Sequence, residues 1–85
     1  VERITAMISK RMQEEMNGQL NFELYSAYLY LSAAAYFHSN GLDGMAQWMR
    51  VQTQEELTHV MKFFDHINSR GGAVILRAID QPKTE

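Results

Sequence analysis

The chain has 85 residues, 46% of them hydrophobic and 21% charged, with a net charge of -2 and no cysteine. That describes a folded globular chain and excludes a disordered one, a disulfide scaffold, a thiol nucleophile and a thiolate metal site. Nothing strongly basic gives a nucleic-acid footprint, and a chain this short buries only about 60% of its extended surface, so one small domain over 1–85 that needs a partner is expected.

The N-terminus, Val-Glu-Arg-Ile-Thr, lacks a signal-peptide pattern, which makes a cytoplasmic location the default; beginning on Val points to trimming or an incomplete chain. Leu24 to Phe37 is the longest apolar-looking region, but Tyr25, Ser26, Ser32 and Tyr36 interrupt it and it is too short for a membrane span. No membrane role is expected.

From about residue 5 to 38 there is no proline and a single glycine, Gly18. Ile4, Ile8, Met12 and Met16 step by four, then Leu20, Leu24, Ala27, Leu31 and Ala34 by four and three, which predicts a long helix with one apolar stripe. Ser39-Asn40-Gly41 is a stop, because Asn and Gly tolerate the left-handed conformation that closes a helix. With the turn at 39–43 and Asp43 as the expected N-cap, a second helix over about 44–70 follows, ending in Gly71-Gly72. A turn this short makes the two helices antiparallel. Residues 71–85, with Val74, Ile75, Leu76, Ile79 and Pro82, read as an extended tail.

The seam assigned to the second helix is Met45, Met49, Gln52, Glu56, His59, Phe63 and His66. Its ends are apolar and its middle is ionisable. A carboxylate buried there without compensation would protonate, so Glu56 needs a partner. His59 is three residues on and shares its face, which is the geometry of two ligands for one ion. On the first helix, at 100° per residue with Leu20 at zero, Glu23 falls at about 300° and Tyr30 at about 280°, flanking the stripe. Counted from Gly41, Glu23, Glu56 and His59 stand at similar heights. Two carboxylates and one imidazole without sulfur suit iron or manganese.

The run Gln19-Leu20-Asn21-Phe22-Glu23-Leu24-Tyr25-Ser26-Ala27-Tyr28-Leu29-Tyr30, then Gly41-Leu42, then Gln54-Glu55-Glu56-Leu57-Thr58-His59, resembles the first half of a bacterial non-haem ferritin over essentially the whole chain. The resemblance implies an all-α fold: an antiparallel two-helix hairpin forming half of a ferritin-like four-helix bundle, plus most of the crossover that follows. It implies Glu23, Glu56 and His59 as ligands in a di-iron ferroxidase centre, Glu56 bridging to the second iron, and Tyr30 beside the centre as a hydrogen-bonding or electron-donating group. It also implies Fe(II) and dioxygen or peroxide as reactants, Fe(III) stored as mineral, and other ferritin helices or subunits as partners in a homo-oligomeric shell. No haem is expected, because Leu57 occupies the position where haem-binding relatives carry a methionine. The two helices that complete the family's bundle fall outside these 85 residues, which makes a fragment the first expectation, ahead of a separate second chain or a symmetric pairing of two copies.

Plainer roles compete at each position. Glu56 with His59 is, taken alone, an ordinary surface pair, Glu23 an edge residue, and Tyr30 a core tyrosine. Glu55 lies about 100° from Glu56 and is either a solvated acid or part of an additional iron site. His38 reads as a cap or surface residue, His66 lies too far along to share the ion, and the methionines read as core filler, with Trp48, Met45 and Met49 packing the turn end. Glu-x-x-His without a preceding histidine gives no zinc-protease signature. The rival functions are a symmetric di-iron protein of the encapsulated-ferritin or rubrerythrin kind and a non-catalytic interaction hairpin.

Overall fold

A computed structural model describes residues 8–83, in which two helices are followed by a tail: α1 (Lys10–Ser39) and α2 (Asp43–Ser69). No helix among them is long and apolar enough to cross a membrane. α1 begins later than its periodicity predicts. Ser9 stops it there, its hydroxyl accepting from the Met12 amide at 3.0 Å, while Ile8 donates its amide to the Arg70 carbonyl. Part of the predicted first turn, 5–7, lies outside the described residues.

Both helices end in the same way. Gly41 and Gly71 adopt φ of 74° and 77°, which L side chains resist. The Gly41 amide bonds to the His38 carbonyl and the Leu42 amide to Phe37; Gly71 bonds to Asn68 and Gly72 to Ile67. These are paired bonds of the Schellman type, which satisfy carbonyls the helix leaves over. The first of them displaces the expected N-cap. Leu42 closes α1 and at once begins α2, its carbonyl accepting from Ala46. Asp43 is therefore inside the first turn, where its carboxylate lies 3.3 Å from His38 Nδ1.

The buried stripe of α2 is Ala46, Thr53, Val60 and Ile67, a strict step of seven, and α1 answers with Asn17, Leu20, Ala27 and Ala34. Alanines on both sides let the helices approach closely. Leu20, Val60 and Ile67 form the core, with Met16, Leu24, Phe63 and Val74 packed on it. The predicted seam of α2 is thus displaced to one side, and Trp48, 59% exposed, and Met45 do not pack the turn end. In α1, Met12 and Leu31, both in the predicted stripe, are about half exposed.

The tail runs back along α1 in the same direction as that helix. Asn17 Nδ2 donates to the Ala73 carbonyl at 2.9 Å and its Oδ1 accepts from the Ile75 amide at 2.8 Å. One turn on, Asn21 does the same with the Ile75 carbonyl and the Arg77 amide. Gln13 Oε1 accepts from the Ala73 amide, and Ser32 donates to the Lys83 carbonyl. The match is metric: four helical residues rise about 6 Å, and two residues of an extended chain advance about 6.6 Å. Helical amides four apart therefore meet tail residues two apart.

Candidate metal centre

Two helices bring Glu23, Glu56 and His59 together. Glu23 stands on the flank of α1 about 60° from the Leu20 direction, and Glu56 on the matching flank of α2 beside Thr53. One donor atom from each of the three lies within 4.8 Å of the others. His59 Nδ1 is 3.6 Å from Glu23 Oε1 and 3.5 Å from Glu56 Oε1. The two carboxylate side chains are largely buried, whereas that of His59 is 49% exposed.

The electrostatics of the pair are uneven. Glu56 holds its proton above the usual glutamate range, chiefly through its hydrogen bond with Glu23, then through burial and the Glu23 charge, with His59 opposing. Glu23 is held below that range, first by the same bond with Glu56, against burial, and then by Gln19 and His59. Of the two coupled carboxyl groups, Glu56 is the one that favours its neutral form and Glu23 the one that favours its charge. Glu56 Oε1 is buried and has no hydrogen-bond partner among the described residues, an uncommon state for a carboxylate acceptor.

These donors fit a hard divalent cation. An ion about 2.1 Å from each nitrogen or oxygen donor sets neighbouring donors roughly 3.0 to 3.4 Å apart, so the two contacts to His59 need to close by only a few tenths of an ångström. Such an ion would satisfy the orphaned oxygen and favour the ionised form of Glu56. The three residues leave further coordination positions open.

Tyr30 lies on the same flank of α1 two turns beyond Glu23, partly buried, and among the described residues no hydrogen bond joins it to the three donors. Glu55 is exposed and is not among them. His38 pairs with Asp43 at the hairpin turn, and His66 lies 3.5 Å from an Arg70 nitrogen at the other end. A cleft of about 690 Å³ opens between α1 and the tail, lined by Tyr25, Leu29, Ser32, Tyr36, Pro82 and Lys83 among others, and by none of the three donors. One residue of the site escaped the sequence reading: Gln19, whose Nε2 donates to Glu23 Oε2 at 2.8 Å. Its signal was the Gln-x-x-x-Glu spacing on one face.

A helical hairpin with two glutamates and a histidine facing each other across the interhelical seam defines a class, and comparison places the chain in it. Residues 13–85 match the ferritin-like domain, and the chain belongs to the ferritin family. It is 42% identical over 74 residues to a bacterial non-heme ferritin of Bacteroides fragilis, covering 87% of this chain and 46% of that protein. With the bacterial non-heme ferritin of Staphylococcus saprophyticus it shares 38% over 79 residues, 93% of this chain and 47% of the other. Among solved structures, an open pore ferritin from the archaeon Archaeoglobus fulgidus superposes with a TM-score of 0.88 at 57% identity, over 94% of this chain and 49% of that one. The ferritin of Chlorobium tepidum gives 0.84 at 38%, over 89% and 47%. The chain spans about half the length of these relatives, and its all-α hairpin corresponds to half of their fold.

Proposed function

We propose that this chain takes part in iron storage, binding Fe(II) as substrate through Glu23, Glu56 and His59 at a di-iron centre where the metal is oxidised to Fe(III) for mineral deposition. The observation that carries this reading is the convergence of three hard donors from two helices, with a buried carboxylate oxygen that has no other partner. Anionic oxygen donors favour Fe(III) over Fe(II), so the donor set supports oxidation as well as binding. Glu56, the less constrained carboxylate, is the residue placed to share its oxygens with a second ion. Tyr30 is offered as an electron donor close to the site, and Glu55 as a ligand of an additional site. Dioxygen or peroxide is the oxidant in this scheme, and further ferritin helices or subunits complete the bundle and the centre.

The test is direct. Aerobic addition of Fe(II), followed by anomalous scattering at the iron edge, should place iron between Glu23, Glu56 and His59; density elsewhere alone would overturn the assignment. Glu56→Gln keeps the shape and removes the charge, and it should slow iron oxidation at least tenfold, consistent with the loss of a directly bound anionic ligand. An unchanged rate would count against the site.

A further inference from the structure

The three donors of the proposed site are not held alike. Among the described residues Glu56 has no hydrogen-bonded neighbour outside the cluster, and its Oε1 has no hydrogen-bond partner. Glu23 is anchored. One turn before it on α1, Gln19 donates from Nε2 to Glu23 Oε2 at 2.8 Å, while the other oxygen, Oε1, is the one that stands 3.6 Å from His59 Nδ1. The direction of this bond is fixed by chemistry: an ionised carboxylate only accepts, so the amide nitrogen must face it.

We propose that Gln19 is a positioning residue for the metal site, holding Glu23 Oε2 so that Oε1 is aimed at the cation while Glu56 stays free to adjust. The proposal rests on the Fe(II)-binding reading above. A carboxylate tied through one oxygen presents the other in a set direction, and outer hydrogen bonds of this kind orient ligands before the ion arrives. A neutral amide suits the task better than lysine or arginine, which would orient the carboxylate equally well but set a positive charge beside the incoming cation. Gln19 does not need to touch the ion. Its place on α1, four residues before Glu23, makes the pair a property of the helix itself.

Gln19 is exposed, and methionine matches its length and helix propensity without a polar hydrogen, so Gln19→Met removes the donor and leaves the fold. Co(II) serves as the probe because it resists oxidation by air and its visible spectrum reports ligand geometry. Titration of the purified protein and Gln19→Met with Co(II) should show about tenfold weaker binding in the variant and an altered visible spectrum, with unchanged helix content and melting temperature. In a Glu23→Ala background, where residual binding is followed at higher Co(II) concentrations, Gln19→Met should have no further effect, since the residue acts through Glu23. Equal affinity and an identical spectrum in Gln19→Met, while Glu23→Ala and Glu56→Gln are weakened, would overturn the positioning role and leave the site intact. A protein whose Co(II) binding is indifferent to Glu23→Ala and Glu56→Gln would overturn the site and the positioning role together.

Discussion

At the proposed site a proton and a cation would compete for the same pair of carboxylates. Glu56 keeps its proton above the ordinary range because Glu23 and burial favour its neutral form, and Glu23 gives its proton up early because Glu56 donates to it. The two act on stability with opposite signs. The lowered Glu23 contributes stability above the usual glutamate range that is lost as pH falls through its folded value. The raised Glu56 favours the folded hairpin while protonated, and that contribution is lost as pH rises through its folded value. A divalent ion at the proposed site would bind Glu56 ionised, so binding should release a proton wherever Glu56 is still protonated and strengthen as pH rises above the ordinary glutamate value of about 4.3. Calorimetry in two buffers of different ionisation enthalpy at about pH 5 checks this; a binding enthalpy indifferent to the buffer would refute it. Glu56→Gln, which cannot ionise, should make the metal-free protein more stable at neutral pH even as it weakens metal binding. A lower melting temperature in that variant would contradict this account.

The elements are fixed by a few local devices whose removal has predictable sign. Gly41→Ala forces an L side chain into a left-handed turn and should cost about 1 kcal/mol, whereas Gly18→Ala, in the interior of α1 with open space around it, should gain roughly 0.5 to 1 kcal/mol. Urea denaturation of the two variants should give shifts of opposite sign. Asn17→Ala strips partners from the Ala73 carbonyl and the Ile75 amide at once and should destabilise by about 2 to 4 kcal/mol. A change within about 0.5 kcal/mol would mean that water satisfies the tail as well as Asn17 does.

At this scale the sequence was informative about signals that one residue type carries alone. Asn40-Gly41 and Gly71-Gly72 marked both helix ends, and the apolar periodicity marked both helices. It was less informative where packing depends on small side chains. The step of seven through Ala46, Thr53, Val60 and Ile67 was present in the sequence, but the bulkier Met45, Met49 and Phe63 drew the predicted seam one residue aside. Asp43 was a fair N-cap by type, and only the double use of Leu42 moved it inward. Gln13, Asn17 and Asn21 are spaced by four, yet what they bind lies more than fifty residues away, and no local pattern announces it.

In the whole molecule α1 serves two flanks. Asn17 and Asn21 face the tail, while Gln19 and Glu23 face the opposite side, roughly 160° around the helix from Asn21 to Glu23. Glu23, Glu56 and His59 stood out because ionisable groups are unusual in a helical seam, and their meeting was legible because a short turn fixes the register of the hairpin. The two flanks should behave independently: Asn21→Ala should loosen the tail and leave Co(II) affinity within about twofold of the original. A larger loss would show that the tail and the site are coupled through α1.

The ladder of side-chain amides along the tail also predicts a pattern in time. The backbone amides of Ala73, Ile75 and Arg77 are each bound by a side chain of α1, and those of Val74, Leu76 and Ala78 have no partner among the described residues. In deuterated water the tail should therefore exchange with a period of two, slow and fast residues alternating as at the edge of a β-sheet, although its neighbour is a helix.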